Sequence, residues 1–125
     1  MSLSKKVIVI TGASKGIGKS AALRFAQDGA IVVINYLTDT TAADEIVKEI
    51  GSDRALAVQA DASTTDGCAQ LVDAAVSKFG KIDVLIPNAG ILPMKDLEHT
   101  SEADFDKAFS VNVKGPYFLV QVRFA

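Results

Sequence analysis

Short runs of aliphatic, mostly β-branched residues recur along the chain, separated by stretches whose apolar residues repeat at steps of three and four. Val7–Ile10 is the first run, closed by Thr11-Gly12. It has no polar face, so it predicts a strand buried on both sides. A helix is expected next, with Ile17, Ala21, Phe25 and Ala26 inward and Gly29 at its stop. Ile31–Ile34 predicts a second buried strand. Ala42–Ile50 predicts a helix with Ala43, Ile46, Val47 and Ile50 on one stripe and Gly51 as the stop. Thr41 and Asp44 have the spacing of a capping box for it. Arg54–Ala60 reads as a third strand, more mixed in character. Cys68, Leu71, Val72, Ala75, Val76 and Phe79 mark the clearest helix, ended by Gly80. Ile82–Ile86 is the fourth strand, and a loop with Asn88-Ala89-Gly90 and Pro93 follows. Ser101, with Asp104 as its capping-box partner, begins a last helix that runs toward the end of the chain.

Strand and helix therefore alternate along the whole sequence. This order predicts an α/β fold, a doubly wound parallel sheet with right-handed crossovers and helices on both faces. The expected spatial order is 3-2-1-4. The 125 residues hold no repeat, low-complexity tract or linker, so a single domain over 1–125 is expected.

Charge and composition narrow the functions. The net charge is −2 and no basic cluster exceeds Lys5-Lys6, which argues against a nucleic-acid partner. No apolar run approaches the ~20 residues of a membrane helix, and no membrane partner is expected. The first residues, Met1 to Lys6, lack the apolar stretch of a signal peptide. Cys68 is the single cysteine, which precludes an internal disulfide and suits a reducing compartment. Together these favour the cytoplasm. Cys68 falls on the inner stripe of its helix and is expected to pack as a small apolar group. His99, within Glu98-His99-Thr100, reads as a surface residue without metal-binding partners.

Chemistry enters at the loop Thr11-Gly12-Ala13-Ser14-Lys15-Gly16-Ile17-Gly18, between the first strand and its helix. Gly12 lets the chain turn off the strand, Gly16 lets backbone approach a pyrophosphate, and Gly18 lets the helix pack closely on the sheet. Free N–H groups and the positive end of the helix dipole then face the phosphates. The loop lacks the G-x-x-x-x-G-K-[ST] pattern of a mononucleotide loop. A dinucleotide is the expected ligand.

The spacing T-G-x-x-x-G-x-G resembles the short-chain dehydrogenase/reductase family, and three further places strengthen the resemblance. Asp61, with Ala62, follows the third strand; Asn88-Ala89-Gly90 follows the fourth; Asn112 lies in Val111-Asn112-Val113-Lys114-Gly115. The resemblance covers essentially the whole chain. It implies a Rossmann-like fold and a nicotinamide cofactor held by Gly12, Ser14, Lys15, Gly16, Ile17 and Gly18. It implies that Asp61 accepts from the adenine amino group and that Asn88, Ala89 and Gly90 border the cofactor and steady the sheet. It implies that Asn112 is the active-site asparagine, whose main chain holds a relay water. Pro116, having no N–H, frees the Asn112 carbonyl for such a role. Pro87 departs from the family, which often has another asparagine there; a proline must stand at the strand's end.

NAD recognition needs a carboxylate after the second strand, and the expected position falls on Tyr36. Lys15 can reach a 2′-phosphate and Asn35 can donate to it, so NADP(H) is favoured over NAD(H). The family's hydride-transfer chemistry on carbonyls and alcohols uses a serine and a Tyr-x-x-x-Lys pair. Here Tyr36 is followed at the fourth position by Thr40, and Tyr117 by Gln121. The 125-residue chain alone is therefore expected to be inactive, and its substrate is not legible. Two readings stand: the cofactor-binding half of an oxidoreductase, or a module that senses or sequesters NADP(H). An open fourth strand and an under-packed last helix, with Phe105, Phe109, Phe118 and Leu119, also predict a homo-oligomer.

Overall fold

A computed structural model describes residues 2–124. Four parallel strands form one sheet in the order β3-β2-β1-β4. They are β1 (Val7–Ile10), β2 (Ile31–Tyr36), β3 (Ala55–Gln59) and β4 (Val84–Ile86). Helices α1 (Gly16–Gln27), α2 (Thr40–Ile50) and α3 (Thr65–Phe79) make the crossovers. After β4 come α4 (Glu102–Phe109), a π turn (Ser110–Lys114) and α5 (Gly115–Phe124), in one helical run. The sequence-predicted class and strand order both hold.

The period-2 geometry of the strands sorts the core. Ile8, Ile10, Val32, Ile34 and Tyr36 pack toward Ala22, Ala26, Ala43 and Ile46 of α1 and α2. Val7, Val9 and Val33 point the other way, onto Cys68, Leu71 and Ala75 of α3 and Leu119 of α5. A central strand of alternating partners has no polar side, which is why β1 reads as an unbroken aliphatic run.

Several boundaries differ from expectation, each for a local reason. β2 extends two residues past Ile34 because Asn35 and Tyr36 pair with Val58 and Gln59 of β3. β3 is one residue shorter than expected at each end, although the Arg54 carbonyl still accepts from the Val32 N–H at 2.9 Å; the Arg54 guanidinium turns back to donate to the carbonyls of Ala26 and Ala30, at 3.0 and 3.2 Å. β4 begins only at Val84, because the Asp83 carboxylate, not a ladder carbonyl, takes the Val7 N–H at 2.8 Å. Lys81 beside that carboxylate, and then the Val7 N–H itself, hold its pKa below the ordinary range. Pro87 does stand just past the end of β4.

The cap of α2 is Asp39, whose carboxylate accepts from the Ala42 N–H at 3.0 Å; the Thr41–Asp44 box does not form. The Ser101–Asp104 box does form on α4. Its Asp104 also meets Lys95 at 2.8 Å, and that contact, followed by the Ser101 N–H, lowers the carboxyl pKa to about 2. A depressed carboxylate stabilises above its unfolded pKa and loses this as pH falls through the folded value, so the cap weakens only in strong acid.

Ile17 was expected on the inner side of α1 and lies 82% exposed instead. The buried stripe is Gly18, Ala22 and Ala26, set by the close approach of Gly18 to the sheet. Val76 likewise stands outside the α3 stripe, half-exposed. Leu119, expected to lack packing, is buried against α3.

Candidate functional site

The strands point their C-terminal ends at one edge of the sheet, where the connections part to either side. Thr11, just after β1, is buried, and its hydroxyl oxygen accepts from the N–H groups of Asn88 and Ala89, both at 2.9 Å. The Asn88 amide returns two bonds, to the carbonyls of Thr11 at 3.1 Å and Gly12 at 3.2 Å. The Asn88-Ala89-Gly90 turn and the glycine loop are thus one unit, tied by side chain to backbone in both directions.

Asn35 ties the same loop to the other strands. Its Oδ1 accepts from the Gly12 N–H at 3.3 Å, and its Nδ2 donates to the carbonyls of Val58 at 3.3 Å and Ala60 at 3.0 Å. At 2% exposure it has no free donor for a ligand. This corrects the expectation that Asn35 donates to a phosphate. It is a strut between β1, β2 and β3. Tyr36 is no cleft residue either: it is buried in the core cluster that includes Ala43 and Ile46 and does not line the cleft. The exposed neighbour, Leu37, is the residue that reaches the edge.

Between these loops lies a cleft of about 380 Å³. Of the sequence-predicted site residues, Gly12, Lys15, Asn35, Asp61, Ala62, Asn88, Ala89 and Gly90 line it. Ser14, Gly16, Ile17, Gly18, Tyr36 and Asn112 do not. Gly16, next to the lining residue Lys15, is in the left-handed region with φ 61°, and a Cβ added there would meet nothing within 4 Å. Gly18 is the opposite case. An added Cβ would fall 2.7 Å from both the Asn88 amide nitrogen and the Gly12 carbonyl oxygen. One glycine leaves room for a ligand; the other lets the helix touch the loop.

Asp61 sits beyond β3. Its Oδ1 accepts from the N–H and the hydroxyl of Ser63, at 3.0 and 2.6 Å, which leaves Oδ2 without a hydrogen bond among the described residues. Asn112 forms a reciprocal pair with Ile91: Oδ1 accepts from the Ile91 N–H at 2.9 Å, and Nδ2 donates to the Ile91 carbonyl at 2.8 Å. Its side chain therefore pins the loop that follows Gly90 to the π turn. That turn is closed by the Gly115 N–H on the Ser110 carbonyl, five residues back, just ahead of Pro116. A single π turn within an α-helical run is frequent at functional sites.

Sequence reasoning missed Leu37, Ala60, Ser63, Ile91, Lys107 and Val111, which also line the cleft. Apart from Val111, which flanks Asn112, none belongs to a motif. They arrive because the segments after β2, β3 and β4, together with α4 and the π turn, reach the same edge. It also missed Gly67 and Gly115. A Cβ on Gly67 would overlap the Asp61 carbonyl, and one on Gly115 the Ala62 carbonyl. Cys68 lies between them, its thiol against the carbonyls of Ala62 and Gly115 at 3.6 and 3.5 Å. Burial, and next the Asp61 charge, push its pKa up, so it stays a neutral donor. Among the described residues no group of His, Cys, Asp and Glu could hold a metal. Among the described residues no helix is long and apolar enough to cross a membrane.

A doubly wound sheet with a glycine turn at its switch point defines a Rossmann-like nucleotide fold. The chain belongs to the short chain dehydrogenase family, whose model matches residues 6–124. It is 43% identical over 121 residues to an uncharacterized oxidoreductase of Thermotoga maritima, covering 95% of this chain and 47% of that one. Among solved structures, it superposes on a short chain dehydrogenase from Burkholderia cenocepacia in complex with NADP, with a TM-score of 0.94 and 34% identity over 99% of this chain and 51% of the other. A 3-ketoacyl-(acyl-carrier-protein) reductase from Brucella melitensis complexed with NADH gives 0.89 and 45%, over 96% of this chain and 49% of the other. The chain thus spans about half the length of the curated relatives it matches.

Proposed function

We propose that the cleft binds a nicotinamide adenine dinucleotide, NADP(H) in preference to NAD(H), as the cofactor-holding part of an oxidoreductase acting on carbonyl and alcohol groups. One observation carries the reading. Gly16 leaves open space at the first turn of α1, and the neighbouring cleft holds Lys15, in no ion pair among the described residues, and an Asp61 oxygen with no hydrogen bond among them. These are the donors and the acceptor that a pyrophosphate and an adenine amino group require. Solved relatives are in complex with NADP in one case and NADH in another. The preference rests on this chain's own residues. The β2 end presents Leu37 to the cleft, and the nearby Asp39 carboxylate is engaged in capping α2. Asp39 does not line the cleft, and at the β2 end the lining is Leu37 rather than a carboxylate, so Lys15 is the nearest charge offered to a 2′-phosphate.

The dinucleotide, when bound, supplies or accepts a hydride. The residues here bind and orient it. Asn88 and Thr11 hold the loop, Asp61 accepts at the adenine end, and Asn112 fixes the loop past Gly90 while its main-chain carbonyl is available to a proton relay.

Calorimetric titration with NADPH, NADH and ADP-ribose 2′-phosphate tests this. Saturable micromolar binding is expected, tightest for NADPH, with the nicotinamide-free ligand close behind. Lys15→Ala should erase the preference, worth ~10- to 100-fold for a charge-assisted contact. Tighter binding of NADH than NADPH would overturn the preference; no binding of any would overturn the reading.

Neither tyrosine offers an acid/base pair. Tyr36 is buried, and Tyr117 is exposed on α5 without a lysine four residues on. The 125-residue chain is therefore expected to give no cofactor-dependent reduction of carbonyl substrates, as read by NADPH absorbance, and measurable turnover refutes this. The same reading includes self-association. β4 is an edge strand, and Val84, Phe105 and Phe109 are exposed at 38%, 56% and 51%. Edges of this kind recruit other chains. Light scattering should find a dimer or larger; a clean monomer contradicts it.

A further inference from the structure

The cleft carries one carboxylate, Asp61, and two ammonium groups, Lys15 and Lys107. Lys15 belongs to the glycine loop. Lys107 comes from α4, and no sequence motif includes it. It stands four residues before Val111, so the two share one helix face, and both line the cleft. The carboxylates next to Lys107 are committed elsewhere. Asp104 holds Lys95 and the Ser101 N–H, and Asp106 lines a separate hollow with Phe109 and Val113 on the outer side of the helix. Lys107 itself forms no ion pair among the described residues, with Asp61 or any other group.

We propose that Lys107 is a cofactor-affinity residue that acts on the adenosine end of the dinucleotide and strengthens NADPH and NADH alike. The inference rests on the cofactor reading above. Leu37 and Val111 are apolar side chains in the lining, suited to the faces of a flat base, and Asp61 supplies an acceptor for its edge. Lys107 lies one helical turn from Val111, so its charge serves that end of the ligand. The two lysines then divide the work. Lys15, in the phosphate loop, distinguishes the 2′-phosphate; Lys107 adds attraction that every adenosine phosphate feels. A cleft with low-dielectric walls and one dominant sign focuses that attraction.

The test is titration of the full chain and its Lys107→Glu and Lys107→Arg variants with NADPH, NADH and ADP-ribose. Lys107→Glu should weaken all three by about tenfold, a difference that added salt reduces. Lys107→Arg should stay within about twofold of the parent, since it keeps the charge. Because Lys107 is exposed and unpaired, melting temperatures without ligand should not move, which separates binding from folding. Affinities within about twofold for Lys107→Glu would overturn the proposal. A loss confined to NADPH would also overturn it, by assigning Lys107 to the 2′-phosphate. Failure of the parent chain to bind any of the three would instead remove the cofactor reading on which the proposal stands.

Discussion

Gly115→Ala should destabilise the fold by about 3 kcal/mol, the upper end for one added methyl in a packed site. The new Cβ would overlap the Ala62 carbonyl oxygen and stand 3.1 Å from its carbon. Neither neighbour is a flexible side-chain tip. Relief requires moving α5 off α3 or displacing the segment that carries Asp61. The first exposes Leu119 and Cys68; the second disturbs the cleft. For a domain of this size the loss corresponds to roughly 10–15 °C in melting temperature. Gly16→Ala serves as the contrast. Its methyl meets nothing within 4 Å and bears only left-handed strain at φ 61°, about 1–2 kcal/mol. Thermal melts of the two variants decide the matter. Equal melting temperatures would mean that the α5 contact with Ala62 yields easily, and the packing account would be wrong.

Asn35→Ala is the second large effect, about 2–4 kcal/mol of stability. The substitution leaves the Gly12 N–H and the carbonyls of Val58 and Ala60 without their side-chain partner, the Ala60 bond fully buried and the other two partly so. Polar groups stranded in such a site carry their full desolvation cost. The loss should appear in urea or thermal unfolding of the chain without any ligand. Unchanged unfolding with weakened dinucleotide binding would make Asn35 a ligand contact after all, and the strut account would fail.

These two residues mark where sequence reasoning reaches its limit. A buried asparagine at the end of a strand and a cofactor-facing one have the same letter and the same position in the pattern. What separates them is which way the strand's alternation turns the side chain. β2 runs two residues further than its aliphatic run suggests, because β3 pairs with it that far. That extension turns Tyr36 into the core and brings Leu37 to the cleft. Gly115 gave no signal at all. Its reason for being glycine is the Ala62 carbonyl, more than fifty residues away in the chain. Lys107 is similar: a lysine on an exposed helix looks like a solvated charge until the fold turns that helix face toward the strand ends.

The local motifs behaved differently. The glycine loop and the Asn88-Ala89-Gly90 turn were legible as turns because each solves a problem within a few residues, whereas Asp61 stood out only through the family resemblance. These problems are a sharp exit from a strand, a close backbone approach, and a turn at a sheet edge. The Ser101–Asp104 box was legible for the same reason, and the Thr41–Asp44 box misled because Asp39 offered a competing cap two residues earlier.

By itself, then, the sequence determined the alternation of strands and helices, the parallel sheet in the order β3-β2-β1-β4, and the phosphate-type loop at its switch point. All of these follow from periodicity and short-range turn chemistry. Only the tertiary structure decided which side chains reach the cleft and which brace it. Those choices depend on contacts between residues far apart in the chain, and the direction of a side chain is fixed by the element packed against it.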